Sequence, residues 1–167
     1  MDILQTERLC LRPLDAGDAA FMLELLNDPA WLRNIGDRGV RTLEQARDYI
    51  TQPPASGVQR LQFCIELRTG GAKVGVAGIY RRPTLDQPDL GFALLPAYRG
   101  CGYALEAARA VLAHARGALD VRHIAAIAAP GNTASHVLLE KLGLHYQRRI
   151  ELGAESLCYF AGETGAA

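Results

Sequence analysis

Leu94-Leu95-Pro96-Ala97-Tyr98-Arg99-Gly100-Cys101-Gly102-Tyr103-Ala104-Leu105-Glu106-Ala107 carries an apolar strand through a glycine-paired turn into an alanine-rich helix. The run before it, Asp89-Leu90-Gly91-Phe92-Ala93-Leu94-Leu95, reads as a strand stopped by Pro96. Gly100 and Gly102 let successive backbone N–H groups turn inward ahead of the helix. Amides so arranged, with the positive end of a helix dipole behind them, hold a diphosphate without lysine. The stretch has neither the Lys-Ser/Thr of a P-loop nor the third glycine of the dinucleotide fingerprint. A different phosphorylated ligand is therefore implied.

On the amino-terminal side of this loop, Glu7 to Leu14 alternates as a first strand, and Asp15-Ala16-Gly17-Asp18 opens an amphipathic helix reaching about Asn27. Asn27-Asp28-Pro29 interrupts it, a short helical piece follows at Ala30 to Asn34, and Thr42-Leu43-Glu44-Gln45 reads as a capping box ahead of Pro53-Pro54. Gln59 to Leu67 and Lys73 to Tyr80 flank Thr69-Gly70-Gly71 as a hairpin. On the carboxyl side, a helix from about Gly102 to Ala115 leads to the apolar run Val121 to Ala129, a strand-helix-strand crossover. Asn132 caps a further helix that Gly143 closes. Leu144 to Leu152 and Leu157 to Phe160 finish as an antiparallel pair, with a frayed tail from Gly162.

The 167 residues suit one domain, 1–167, and 49% apolar content with 22% charged residues is enough for a single core. Eighteen basic residues balance eighteen acidic ones, which argues against a dedicated nucleic-acid surface. No apolar run approaches the roughly 20 residues that span a bilayer, so no membrane partner and a cytoplasmic location are expected. Cys10, Cys64, Cys101 and Cys158 show no metal-ligand spacing, and the four histidines form no pair, so no metal is expected.

Read as Arg-x-x-Gly-x-Ala (Arg99, Gly102, Ala104), the loop resembles the acetyl-CoA pyrophosphate loop of the GNAT superfamily of N-acyltransferases. Thr6-Glu7-Arg8-Leu9-Cys10-Leu11-Arg12-Pro13-Leu14, Leu26-Asn27-Asp28-Pro29, Asn132-Thr133-Ala134-Ser135 and Glu140-Lys141-Leu142-Gly143-Leu144 are similar to blocks of its ribosomal-protein alanine N-acetyltransferase branch. The resemblance implies a mixed α/β fold, α+β in its segregation of elements. A twisted, mostly antiparallel sheet of about seven strands holds one splayed parallel pair, flanked by about four helices. It also implies an acetyl-CoA-dependent N-acetyltransferase in which a primary amine attacks directly within a ternary complex. That amine belongs to a protein or peptide N-terminus or to a small molecule, and the enzyme is a monomer or a homodimer.

The resemblance further distributes roles. Leu94, Leu95, Arg99, Gly100, Cys101, Gly102, Tyr103, Ala104, Asn132 and Ser135 fall where the family binds the cofactor. Many GNAT enzymes place a tyrosine seven residues after the asparagine to protonate the leaving thiolate; here that position is Leu139, and Ser135 takes the donor role instead. Asp89 stands where the family often has a glutamate base, one methylene longer; a solvated carboxylate at the strand entry is the alternative reading. Trp31, Asn34 and Asp89 would face the acceptor. A binding module with little turnover is the competing reading, motivated by Leu139 and the short Asp89.

Overall fold

The computed structural model describes residues 2–54 and 56–165. Among the described residues eight strands form one sheet: β1 (Leu4–Gln5), β2 (Leu9–Pro13), β3 (Gln59–Leu67), β4 (Lys73–Arg81), β5 (Asp89–Leu94), β6 (His123–Ala128), β7 (His145–Leu152) and β8 (Glu155–Glu163). Five α-helices accompany them: α1 (Ala19–Leu26), α2 (Pro29–Asn34), α3 (Leu43–Thr51), α4 (Tyr103–Ala118) and α5 (Thr133–Lys141). The strand beyond the expected seven is the two-residue β1, paired with Leu11 and Cys10 of β2. The helix beyond the expected four is the short α2, which Asp28 caps and Pro29 starts.

Spatial order is β1-β2-β3-β4-β5-β6-β8-β7. Every neighbouring pair is antiparallel except β5 and β6. That parallel pair meets at one register position, Asp89 opposite Ala125, beside the bond from Ala125 N–H to the Pro88 carbonyl (2.9 Å). Beyond it the two strands diverge. The sheet is therefore open along the carboxyl-terminal part of β5, where ladder bonds are left unmade.

Alternation along the strands separates two cores. Leu9, Leu11, Phe63, Ile65, Ala77, Ile79, Leu90 and Leu94 pack with Ala108, Val111, Leu112 and Ala115 of α4 and Leu139 of α5. On the opposite face Cys64, Val76 and Leu95 pack with Phe21, Met22, Leu25 and Leu26 of α1, Trp31 of α2 and Ala46 of α3. Helix starts follow the local chemistry. Thr42 and Gln45 exchange side-chain and backbone bonds as a reciprocal capping box. The expected first helix begins instead as a 3-10 turn, Ala16–Asp18, capped by Asp15, because Asp18 reaches back to the Asp15 N–H. The carboxyl end also differs from expectation: β8 continues through Gly162 to Glu163, and Thr164 is buried with its hydroxyl on the Val121 carbonyl (2.8 Å). Of the expected tail, only 166 and 167 lie outside the described residues.

Candidate active site

Helices α4 and α5 start just after the carboxyl ends of the two parallel strands, so their amino termini open on the same sheet edge, flanking the gap. In the loop before α4, Gly100 and Gly102 adopt φ of 76° and 82°, the left-handed region that side chains disfavour. Gly102 is the N-cap and brings no side chain to it. The first amide taken up by the helix is that of Glu106, on the Gly102 carbonyl (3.1 Å). Among the described residues, the N–H groups of Gly100 through Leu105 find no protein acceptor. Unspent amides at the positive end of a 16-residue helix form an anion seat.

Two long-range clamps hold that seat. Glu106 accepts from Thr6 Oγ1 (2.5 Å) and from Arg8 N and Nε (2.9 and 2.7 Å), while Arg8 Nη1 donates to the Cys101 carbonyl (2.9 Å). Burial opposes ionisation of Glu106, and these bonds overcome it, keeping its carboxyl below the usual value. On the other side, Arg99 donates to Asp28 Oδ2 (2.5 Å) and to the Leu94 carbonyl (3.0 Å). Arg99 thus ties the loop to the N-cap of α2, the helix that carries Trp31 and Asn34. Sequence reasoning placed Arg99 on the cofactor; the bonds it makes here run to the protein. It missed Arg8 and Asp28 as clamps, whose partners lie 93 and 71 residues away.

Strand alternation sorts the two predicted leucines. The N–H of Leu95 is spent on the Val74 carbonyl (2.9 Å), so Leu95 faces β4, whereas the backbone groups of Phe92 and Leu94 face the gap, the Leu94 carbonyl accepting there from Arg99. Both leucine side chains are core. A free strand edge is what the splayed pair implies here; that its open groups fall at Phe92 needs the register. An extended ligand carrying amides is matched by such an edge as by an added strand.

Asn132 N-caps α5, its side chain accepting from Ser135 N (3.3 Å). Ser135 is half-buried in the first turn, and its hydroxyl bonds no other protein group among the described residues. Leu139, by contrast, is fully in the core and presents nothing to the gap. His136 anchors α5 by its ring nitrogen to the Ala129 carbonyl (3.0 Å).

Asp89 is 1% exposed and accepts from Arg82 Nε (2.9 Å), which overturns the solvated alternative. Turn residues before the strand fold Arg82 back over it, a contact no periodicity announces. Burial pushes the Asp89 carboxyl above the usual range, outweighing the pull of Arg82. Such a carboxylate is a better proton acceptor than an exposed one. In register, Asp89 lies beside Tyr80, and Gly91 beside Gly78. Tyr80 in turn receives a bond from Gln62 Nε2 (2.9 Å).

An unspent amide seat that opens between two splayed parallel strands suits a ligand with a diphosphate and an extended amide-bearing arm, the build of an acyl-CoA. The chain belongs to the acetyltransferase (GNAT) domain family, whose model matches residues 8–145, and it is an acetyl-CoA-dependent acetyltransferase. It is 31% identical over 152 residues to the uncharacterized protein YkkB of Bacillus subtilis, covering 88% of this chain and 87% of that one. Among solved structures it resembles RimL, a ribosomal L7/L12 alpha-N-protein acetyltransferase in complex with coenzyme A (TM-score 0.81, 16% identity, 99% and 100% coverage). It also resembles spermidine N-acetyltransferase from Vibrio cholerae in complex with CoA and spermine (TM-score 0.80, 15% identity, 96% and 98% coverage). Among the described residues no helix is long and apolar enough to cross a membrane.

Proposed function

We propose that this acetyltransferase moves the acetyl group of acetyl-CoA onto the α-amine of a peptide or protein N-terminus, by direct attack in a ternary complex. The observation that carries the donor half is the run of unpartnered amides from Gly100 to Leu105 at the open end of α4. The diphosphate lies there, and the pantetheine amides pair with the free edge of β5 at Phe92 and the Leu94 N–H, with Asn132 and Ser135 lining the other wall. Arg99 turns its outer edge to the same diphosphate.

Asp89, directly or through a water, takes the proton from the attacking amine, and the Ser135 hydroxyl supplies one to the departing thiolate. A thiol with a pKa near about 8.5 leaves readily, and an α-amine near about 8 is partly neutral at pH 7, so placement supplies much of the rate. Trp31 and Asn34 on α2 border the acceptor. The four free thiols fit a reducing compartment, the cytoplasm.

Titration calorimetry with acetyl-CoA, CoA and ATP tests the seat: micromolar binding of the first two and much weaker ATP is expected. Product formation with an N-terminal seryl or alanyl peptide tests transfer. Tight acetyl-CoA binding without transfer to any amine would favour a binding module, for which Leu139 in the core is the supporting observation. Activity confined to small amines would make it a small-molecule acetyltransferase.

A further inference from the structure

Gln62 is the lone polar residue in the strand segment Leu61-Gln62-Phe63-Cys64-Ile65, and it is 6% exposed. Its Nε2 donates to the Tyr80 hydroxyl, and its Oε1 is buried with no partner. Turning the amide over only exchanges the atoms: one of the two stays unsatisfied. The other buried side-chain atom without a partner among the described residues is Trp31 Nε1, which packs on the same side of the sheet. A buried polar group left unpaired is costly, so two on one face call for an explanation.

Their surroundings supply one. Across the sheet Gln62 pairs with Gly78, and Gly78 with Gly91, so the row from Gln62 to the opening strand β5 carries no further side chain. The Tyr80 ring lies against Gly91, where a Cβ would come within 2.7 Å of it, so only glycine leaves the ring this place. With the Gln62 Nε2 donating to it, the Tyr80 oxygen keeps its own hydrogen for another acceptor. Burial, with Tyr49 and Asp89 nearby, pushes the phenol's pKa up, keeping that hydrogen in place.

We propose that Gln62 and Tyr80 read the amide next to the reacting amine, the phenol donating to its carbonyl and the glutamine oxygen accepting its N–H. Resting on the transfer reading above, this makes the preferred acceptor an α-amine followed by a peptide bond. The charges around Tyr80 agree: Asp89 is already paired with Arg82, and Arg60 is the other neighbour, so a polyamine meets more positive charge than negative. Arg60 itself is turned to the carbonyls of Tyr49 and Gln52 at the end of α3.

The test compares wild type, Tyr80→Phe and Gln62→Glu, each assayed with acetyl-CoA against a carboxamide-blocked seryl tetrapeptide and against spermidine. Calorimetric acetyl-CoA affinity and thermal unfolding are measured alongside. Tyr80→Phe keeps the ring and loses only the hydroxyl; it is expected to raise the peptide KM roughly five- to twentyfold, with kcat changed less and acetyl-CoA affinity unchanged. Gln62→Glu is expected to move preference from peptide toward spermidine. Unchanged peptide KM in a folded Tyr80→Phe protein, or a wild type that prefers spermidine, overturns this inference and leaves acetyl transfer standing. A wild type that binds acetyl-CoA and acetylates neither amine overturns both.

Discussion

Arg99 of the loop and Asp28 at the start of α2 form an ion pair of 2.5 Å, with the Asp28 side chain 6% exposed. The pair couples the proposed donor seat to α2, the helix proposed to border the acceptor. Arg99→Ala leaves a buried carboxylate unpaired and is expected to destabilise the fold by about 1–3 kcal/mol. It should also weaken acetyl-CoA binding and raise the acceptor KM together. Urea unfolding, calorimetry and steady-state kinetics on one preparation check all three.

Gly102→Ala places a Cβ at a φ of 82°, 3.3 Å from Arg8 Nη2. Strain of about 1–2 kcal/mol is expected, with acetyl-CoA affinity falling roughly tenfold or more because the amides no longer converge. Gly102→Trp should abolish binding. A folded Gly102→Trp protein with normal affinity would move the seat elsewhere.

Asp89 titrates above the usual carboxylate range, since burial outweighs Arg82. The folded state therefore holds this proton more tightly than the unfolded one. Asp89's contribution to stability is fully present below its unfolded pKa and is lost as pH rises through its folded value. If Asp89 is the base, activity moves the opposite way and grows as the carboxyl ionises. Asp89→Asn should remove that acidic limb of the pH–rate profile and lower kcat roughly a hundredfold.

Asp18 behaves in the opposite sense. It is 1% exposed, and Arg12 (2.8 Å) and Lys73 (2.7 Å) overcome the cost of burial to hold its carboxyl well below the ordinary range. Its contribution is present above the unfolded pKa and lost only as pH falls toward the depressed folded one. Asp18→Asn breaks a buried network joining β2, β4 and the turn before α1, and should cost about 3–5 kcal/mol at neutral pH by denaturant unfolding.

Thiol labelling of the folded protein should find Cys101 quickly, because it is exposed between the two loop glycines. Cys64 should resist until unfolding: burial, with Asp18 nearby, pushes its pKa up to about 12. Protection of Cys101 by acetyl-CoA would report occupancy of the seat.

Local patterns were legible wherever one segment decides its own shape. Capping by Thr42 and Asn132, the glycine pair in the loop, and the helix stop at Gly143 could all be read from neighbours within four residues. What was not legible depends on register and on distant partners. Asp89 looked solvated because Arg82 reaches it only after the turn at 83–88 folds back. Leu94 and Leu95 were indistinguishable until β4 claimed the Leu95 amide. Gln62 carried a readable signal, a single amide in an apolar strand, but its meaning needed Gly78 and Gly91 placed beside it.

The clamps on the loop have a consequence for how the chain matures. Thr6 meets Glu106 across 100 residues, Arg8 meets Cys101 across 93, and Arg99 meets Asp28 across 71. A seat tightened by such remote partners is complete only once the amino-terminal strands have docked. During synthesis the glycine loop therefore emerges before it is competent. Capture of coenzyme becomes a signal of completed folding, and the ligand lends its binding energy to the last long-range contacts to form.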